Sequence, residues 1–378
     1  MSKSEKDIYI NGPMHTIRLE GNIGKIKKVL YIFGDYHINC DKQTSCNNDD
    51  AYDIDKYLSN EFKELTNEVD FFLEIPVSYV PNYKTSHIRD KYIHNVRNFF
   101  SRNFNIEANK LVKRSEKYPL VRFHHLDIRQ DNPLLYEYLF NQLFVMSDFL
   151  HGIGTVAELM NDFQTMNFIA NKLDKMYNVF NNFINFSLQL EKEFKNIYYI
   201  KKIREKTKNK EVSNILNKYL DKFYTNIKNT QKIFMKYRKH IEELYYKLNN
   251  IEKIDINIIN KNVIIPFSKI ILEIRRYLDY QIDIPMDCYL LRRFLDKEYI
   301  TNGILYCGMA HTADVVNILV NDFNFKITHH SGMIKPDELN KKIKEGSYNE
   351  QEVHNLLIKQ KEYIYQCSNV KGFPKKFE

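Results

Sequence analysis

No tryptophan occurs in the 378 residues, and none of the five cysteines (Cys40, Cys46, Cys288, Cys307 and Cys367) forms a Cys-x-x-Cys pair. An odd number of thiols without that spacing argues against a disulfide framework and against a four-cysteine zinc site. No apolar run approaches the roughly 18 residues that a membrane helix needs. The polar opening, Met1-Ser-Lys-Ser-Glu-Lys-Asp7, has no apolar stretch behind it. No secretory signal is therefore expected, and the chain reads as soluble and intracellular. Gly-x-x-x-x-Gly-Lys-Ser/Thr, Gly-x-Ser-x-Gly and His-Glu-x-x-His are also missing. Their absence disfavours a P-loop nucleotide hydrolase, a serine-elbow hydrolase and a zincin.

What is present is 43% hydrophobic, with 27 Tyr and 25 Phe, enough for a core and too much for a wholly disordered chain. Asn, Lys, Ile and Tyr dominate, as an AT-rich coding sequence would produce. The formal net charge of +8 is concentrated in one place: residues 191–250 hold 16 Lys/Arg against 7 Asp/Glu, while the rest of the chain holds 40 against 41. That segment is helical by pattern. Leu216, Leu220, Phe223, Ile227, Phe234, Tyr237, Ile241, Leu244, Leu248 and Ile251 recur in steps of three and four, interrupted at Thr230. Leu159, Phe163, Met166, Leu173, Tyr177, Phe180, Ile184, Phe194 and Tyr198 follow a looser version of this rhythm. With a polar turn at Arg204–Lys210, residues 155–252 read as a long antiparallel helical hairpin. Gly152-Ile-Gly154 and the capping-box spacing Thr155-x-x-Glu158 mark its start. The hairpin suggests either self-association or contact with an acidic partner such as nucleic acid. A solvated helical face is the preferred reading for 191–250, because its lysines are interleaved with acids and no recognised nucleic-acid motif is present.

Outside the hairpin the pattern changes. Short apolar runs at 27–33, 69–73, 121–126, 303–307 and 325–328 alternate with helical patterns at 51–65, 88–115, 134–150, 267–280, 286–295 and 312–320. Such alternation predicts an α/β fold with a mostly parallel sheet, in which ligands bind beyond the carboxyl ends of the strands. Those ends carry His37, Glu74, Asp127 with Arg129, His311 and His330. Gly-x-x-His occurs there twice, as Gly34-Asp-Tyr-His37 and Gly308-Met-Ala-His311.

Two imidazoles and a carboxylate suit a divalent metal held by His37, Glu74 and His311. Alternatively, one histidine serves as general base on water, with Glu74 orienting it. Arg129 suits stabilisation of negative charge, or else simply pairs with Asp127. His124, inside a strand, reads as a packed core histidine. His329 and His330 divide evenly between loop residues and additional ligands. Cys40, Asp41 and Cys46 follow the first motif, but no partner at metal-site spacing lies near, so reduced thiols are expected.

The two Gly-x-x-His motifs and the intervening Phe72-Leu-Glu74 resemble the signature of the Tiki/TraB superfamily, which also takes in erythromycin esterase-like and ChaN-like proteins. This resemblance covers roughly residues 27–130 and 285–330. It implies an α/β core with helical insertions and an active centre of His37, Glu74 and His311, with Arg129 less firmly included. It leaves open whether the centre is metal-dependent. Met286-Asp-Cys-Tyr-Leu-Leu-Arg-Arg293 and Tyr306-Cys-Gly-Met-Ala-His311 also resemble an uncharacterised family of mimivirus-type giant DNA viruses, which implies a place in the host cytoplasm or the virion.

The expectation is thus an α/β core at 1–150 and 263–378, interrupted by a helical hairpin at 151–262. The core is read as a hydrolase acting on a peptide or ester bond. The alternative is a catalytically inactive virion-associated or binding protein, whose basic hairpin serves assembly or nucleic-acid contact.

Overall fold

The computed structural model describes residues 7–40, 46, 50–76, 91–104, 112–129, 131–136, 163–250, 256–279, 283–346, 350–357 and 366–378. It is an α/β structure with a helical insertion. The chain forms two compact units, one of residues 1–128, 207–215 and 286–378, the other of 129–206 and 216–285.

The first unit opens with strands β1 (Tyr9–Asn11), β2 (His15–Ile23), β3 (Ile26–Asp35) and β4 (Tyr52–Asp53) and helix α1 (Ile54–Lys63). Next come β5 (Val69–Pro76), α2 (Tyr92–Asn103), β6 (Val112–Lys113) and β7 (Val121–Asp127). The helical insertion holds α3 (Phe163–Glu193), α4 (Tyr198–Lys206), α5 (Lys210–Asn249) and α6 (Ile265–Asp279). The last stretch contributes α7 (Ile284–Asp296), β8 (Asn302–Gly308), α8 (Met309–Asn321), β9 (Lys326–His330), α9 (Pro336–Glu345), α10 (Glu350–Leu357) and β10 (Cys367–Asn369).

A seven-stranded sheet has the order β6-β7-β5-β8-β3-β2-β9. Its centre, β7-β5-β8-β3, is parallel throughout. These strands are buried on both faces, which is why they read as continuous apolar runs rather than alternating ones. All five apolar runs expected to be strands are strands of this sheet. The sheet as a whole is mixed, because β2 inserts antiparallel between β3 and β9 and β6 pairs antiparallel with β7. Helix α1 buries Ile54, Tyr57, Leu58 and Phe62 at helical spacing. With α2 it covers an aromatic core in which Phe100 stacks on Phe123 at 4.4 Å and Phe62 meets Tyr118 at 5.9 Å. Tyr and Phe thus do the filling that tryptophan does elsewhere.

Several expectations are corrected. The helix expected over 88–115 is described over 92–103, and Val112–Lys113 is a short strand. Of the helix expected at 134–150, the helical turn Pro133–Tyr136 is described and residues 137–150 lie outside the described residues. Gly152–Gly154 and the Thr155–Glu158 capping box lie outside the described residues. Against the expectation of reduced thiols, Cys46 and Cys367 form a disulfide across 321 residues of sequence. Local spacing cannot report such a pairing. It arises because β10 pairs with β1, setting Cys367 opposite Asn11, whose Oδ1 accepts the Cys46 N–H at 2.8 Å. Cys40, Cys288 and Cys307 are not in disulfides.

The insertion follows its periodicity closely. Every described residue of the α5 seam from Leu216 to Leu248 is buried, and Thr230 is buried with them. Thr230 fits because its hydroxyl donates to the Asn226 carbonyl at 2.7 Å. Phe183 stacks on Phe234 at 3.7 Å and Phe194 meets Phe223 at 5.6 Å, so α3 and α5 run antiparallel. On α3 Ile169, Leu173, Met176, Phe180, Phe183, Ile184, Ser187 and Leu190 are buried and Tyr177 is half-buried, while Tyr198, which opens α4, is exposed. The predicted turn falls between Lys206 and Lys210, where Asn209 accepts the Val212 N–H at 3.1 Å. No helix among the described residues is long and apolar enough to cross a membrane.

Candidate active site

Strand register brings the motif residues together. In the β3–β8 pair Asp35 lies opposite Gly308, and in the β5–β8 pair Leu73 lies opposite Tyr306, so Glu74 follows at the same sheet end. His37 leaves β3 with a left-handed backbone, φ 55°. His311 sits one turn into α8, whose N-cap is Gly308. Gly308 is needed here for close approach: a Cβ on it would lie 3.1 Å from His37 Nε2 and 3.4 Å from Glu74 Oε2.

Glu74 is the hub. Its Oε2 accepts from His37 Nε2 at 3.1 Å and from the Gly308 N–H at 2.7 Å, and its Oε1 lies 3.4 Å from His311 Nε2. Each histidine is backed by a further carboxylate. His37 Nδ1 is 3.4 Å from Asp35 Oδ2, and His311 Nδ1 is 2.8 Å from Asp287 Oδ1. The result is a continuous chain, Asp287–His311–Glu74–His37–Asp35. Asp35 is anchored in turn by the His37 N–H, the Tyr306 hydroxyl at 3.1 Å and the Gln366 side-chain amide. Arg97 donates to the Glu74 backbone carbonyl at 3.1 Å.

Exposure falls along the chain. The His37 side chain is 29% exposed and Glu74 12%, whereas His311 is 4% exposed. Solvent therefore reaches the cluster at His37. Burial opposes charge on His37, but the Glu74 carboxylate and the hydrogen bonds to Asp35 and Glu74 outweigh it and raise its pKa to about 9. Burial likewise opposes charge on Glu74, yet His311 and His37 hold its carboxyl well below the usual range. With carboxylates at both ring nitrogens, His37 is an imidazolium at neutral pH.

The donor types, two imidazole nitrogens and a carboxylate, are those of a divalent metal site. As they stand, Glu74 Oε2 meets His37 Nε2 and Glu74 Oε1 meets His311 Nε2, and among the described residues no group of three His, Cys, Asp or Glu side chains is already set to hold an ion.

His37, Glu74 and His311 thus meet in one place. Arg129 belongs to the second unit, buried and donating to Asp283 at 3.3 Å. His124 is a buried histidine stacked on Phe72 at 4.6 Å. His329 and His330 end β9, engaged with Thr328 Oγ1 and the Ile334 carbonyl. Cys46 is committed to its disulfide, and Asp41 lies outside the described residues. Sequence reasoning passed over Asp35, Asp287, Tyr306, Gln366 and Arg97 as site residues. Asp35 lay inside the first motif, and Asp287 was signalled by its setting, a lone carboxylate in the apolar opening of α7, Ile284-Pro-Met-Asp-Cys-Tyr-Leu-Leu291.

Comparison with known proteins finds a family of unknown function, DUF5847, whose model matches residues 8–378. The uncharacterized protein R706 of Acanthamoeba polyphaga mimivirus is 30% identical over 412 aligned residues, covering 98% of this chain and 97% of the relative. The uncharacterized protein R161 of the same virus is also 30% identical, covering 100% of both chains. No solved structure matches.

Proposed function

We propose that this chain, which belongs to the DUF5847 family of unknown function, is a hydrolase acting on an ester or peptide bond at the His37–Glu74–His311 cluster. The observation that supports this reading is the single carboxylate shared by two histidines, each backed by its own aspartate, at a solvent-reachable end of the parallel strands.

The chemistry follows from the charges. His37 in its neutral form takes a proton from the attacking water as the new C–O bond forms. The imidazolium that results lies between Glu74 and Asp35, both anionic acceptors. The same proton passes to the departing alkoxide or amine as the acyl bond breaks, which restores neutral His37. Glu74 is held in place by the Gly308 N–H and His311, and Asp287 fixes the His311 ring. Because His37 is proton-loaded below about pH 9, the base-dependent rate rises with pH and levels off above that value.

The test is a panel of acyl esters and peptides offered to the full chain, His37→Ala and His311→Ala, with metal analysis of each preparation. The wild type is expected to hydrolyse one class, with kcat/KM rising to a plateau near pH 9. Each variant should lose at least about 100-fold. Wild-type inactivity across the panel, or equal activity in the variants, would sink the proposal. Activity that requires an added divalent ion would replace the metal-free scheme.

A further inference from the structure

We infer that the solvent face of α5 between Lys218 and Lys247 is a binding surface for a nucleic-acid phosphate backbone. At 100° per residue, Lys218, Lys222, Lys228, Lys232, Lys236, Lys239 and Lys247 fall within an arc of roughly 120°. All seven are exposed. Their arc lies opposite the buried seam of Leu220, Phe223, Ile227, Phe234, Ile241, Leu244 and Leu248. The row runs about 44 Å along a single helix.

Between Lys218 and Lys247 the helix carries eight Lys/Arg against three acids, Asp221, Glu242 and Glu243, and on the arc itself seven lysines face two acids. Only Asp221 and Glu243 share the arc. Asp221 is already engaged by Arg204 at 2.7 Å. Glu242 falls outside the arc, beside Arg238 at 4.0 Å. The carboxylate paired with Lys228 comes from another helix, Glu191 on α3, at 3.2 Å. Lys232, Lys239 and Lys247 make no ion pair among the described residues.

The remaining side chains on this face are polar, Thr225 and Asn229 among them; Tyr246, 70% exposed, and Met235, 50% exposed, stand at its border. A straight row of cations bordered by hydrogen-bonding side chains is complementary to a regular line of phosphates, and it would bind by displacing condensed counterions. It offers no set of side chains arranged to read bases, so binding should be indifferent to sequence.

Fluorescence anisotropy of the full chain with a labelled 25-base-pair DNA duplex, the matching RNA duplex and a single strand, each from 50 to 200 mM salt, tests this. Affinity should fall steeply with salt for at least one of the three. The triple charge reversal Lys232→Glu/Lys239→Glu/Lys247→Glu removes three phosphate contacts. It should weaken binding at least about tenfold and flatten the salt slope by roughly 3. Lys25→Glu/Lys63→Glu/Lys326→Glu, equal in charge but placed on the first unit, should cost far less. Circular dichroism checks that both variants keep their helix content. The inference fails if no nucleic acid binds with salt dependence, if the two triple variants weaken binding equally, or if only phosphatidylserine vesicles bind.

Discussion

The two ends of the central strands each hold a buried network of carboxylates and histidine, and the networks have opposite electrical logic. At the amino ends, Arg122 donates to both oxygens of Asp70, and His124 lies between Asp70 at 2.6 Å and Arg293 at 2.8 Å. One His124 nitrogen faces an acceptor and the other a donor, so the ring is neutral. Burial, together with the Arg293 charge, pushes its pKa down to about 4. At the carboxyl ends His37 faces acceptors on both nitrogens and is raised to about 9. Strand β5 contributes to both networks, Asp70 to one and Glu74 to the other. One network is sealed and balanced by arginine. The other is reached by solvent and leaves its cationic histidine among carboxylates. The first network neutralises its buried charge with arginine, whereas in the second a half-buried imidazolium is held by carboxylates alone, the arrangement on which the proposed proton transfer rests.

The largest expected effect breaks the sealed end. Asp70→Ala leaves the Arg122 guanidinium without its buried partner and should cost about 3–5 kcal/mol in urea unfolding. Glu74→Gln at the solvent-reached end should cost about 1–2 kcal/mol. Equal losses would erase the distinction between the two ends.

Next comes the pH dependence of stability. His37 has a folded pKa of about 9 against 6.5 for the free side chain, so its contribution is complete below pH 6.5 and is lost as pH rises through 9. His124 has a folded pKa of about 4, so it resists protonation in the native state and costs stability as pH falls from 6.5 towards 4. Urea midpoints should therefore decline on both sides of neutrality. His37→Gln should remove part of the alkaline decline, of order a few kcal/mol, and leave the His124 contribution on the acid side in place. A variant that altered the acid side instead would reverse the assignment.

The smallest effect concerns the support of Asp35. Tyr306→Phe deletes one of its hydrogen bonds and should cost about 1 kcal/mol, with His124 chemical shifts unmoved. A shift at His124 would mean that the two networks are coupled.

How much of this was legible from the chain depends on the range of the interaction involved. The central strands and the α5 seam are written locally, as continuous apolar runs and as steps of three and four. Both the Gly-x-x-His motifs and Glu74 sit at strand ends, so their convergence followed from a parallel sheet. β2 was hidden because Arg18 and Glu20 interrupt its apolar pattern. Arg18 is accommodated by Tyr31 from the neighbouring β3 and Thr328 from distant β9. The Cys46–Cys367 disulfide depends on β10 returning to β1, which no spacing encodes. Asp287 was overlooked because its meaning requires His311, 24 residues away in sequence and 2.8 Å away in space.

The most direct test of the central claim needs no substrate. A nitrogen-15 NMR titration of the imidazole rings, assigned through His37→Gln and His124→Gln, reads both networks in one sample. The prediction is that His37 remains a doubly protonated imidazolium at pH 7 and titrates near 9, while His124 stays neutral with its proton on Nε2 down to about pH 4. If His37 instead titrates at or below 6.5, the carboxylates around it do not hold its proton and the two ends are not electrically opposed.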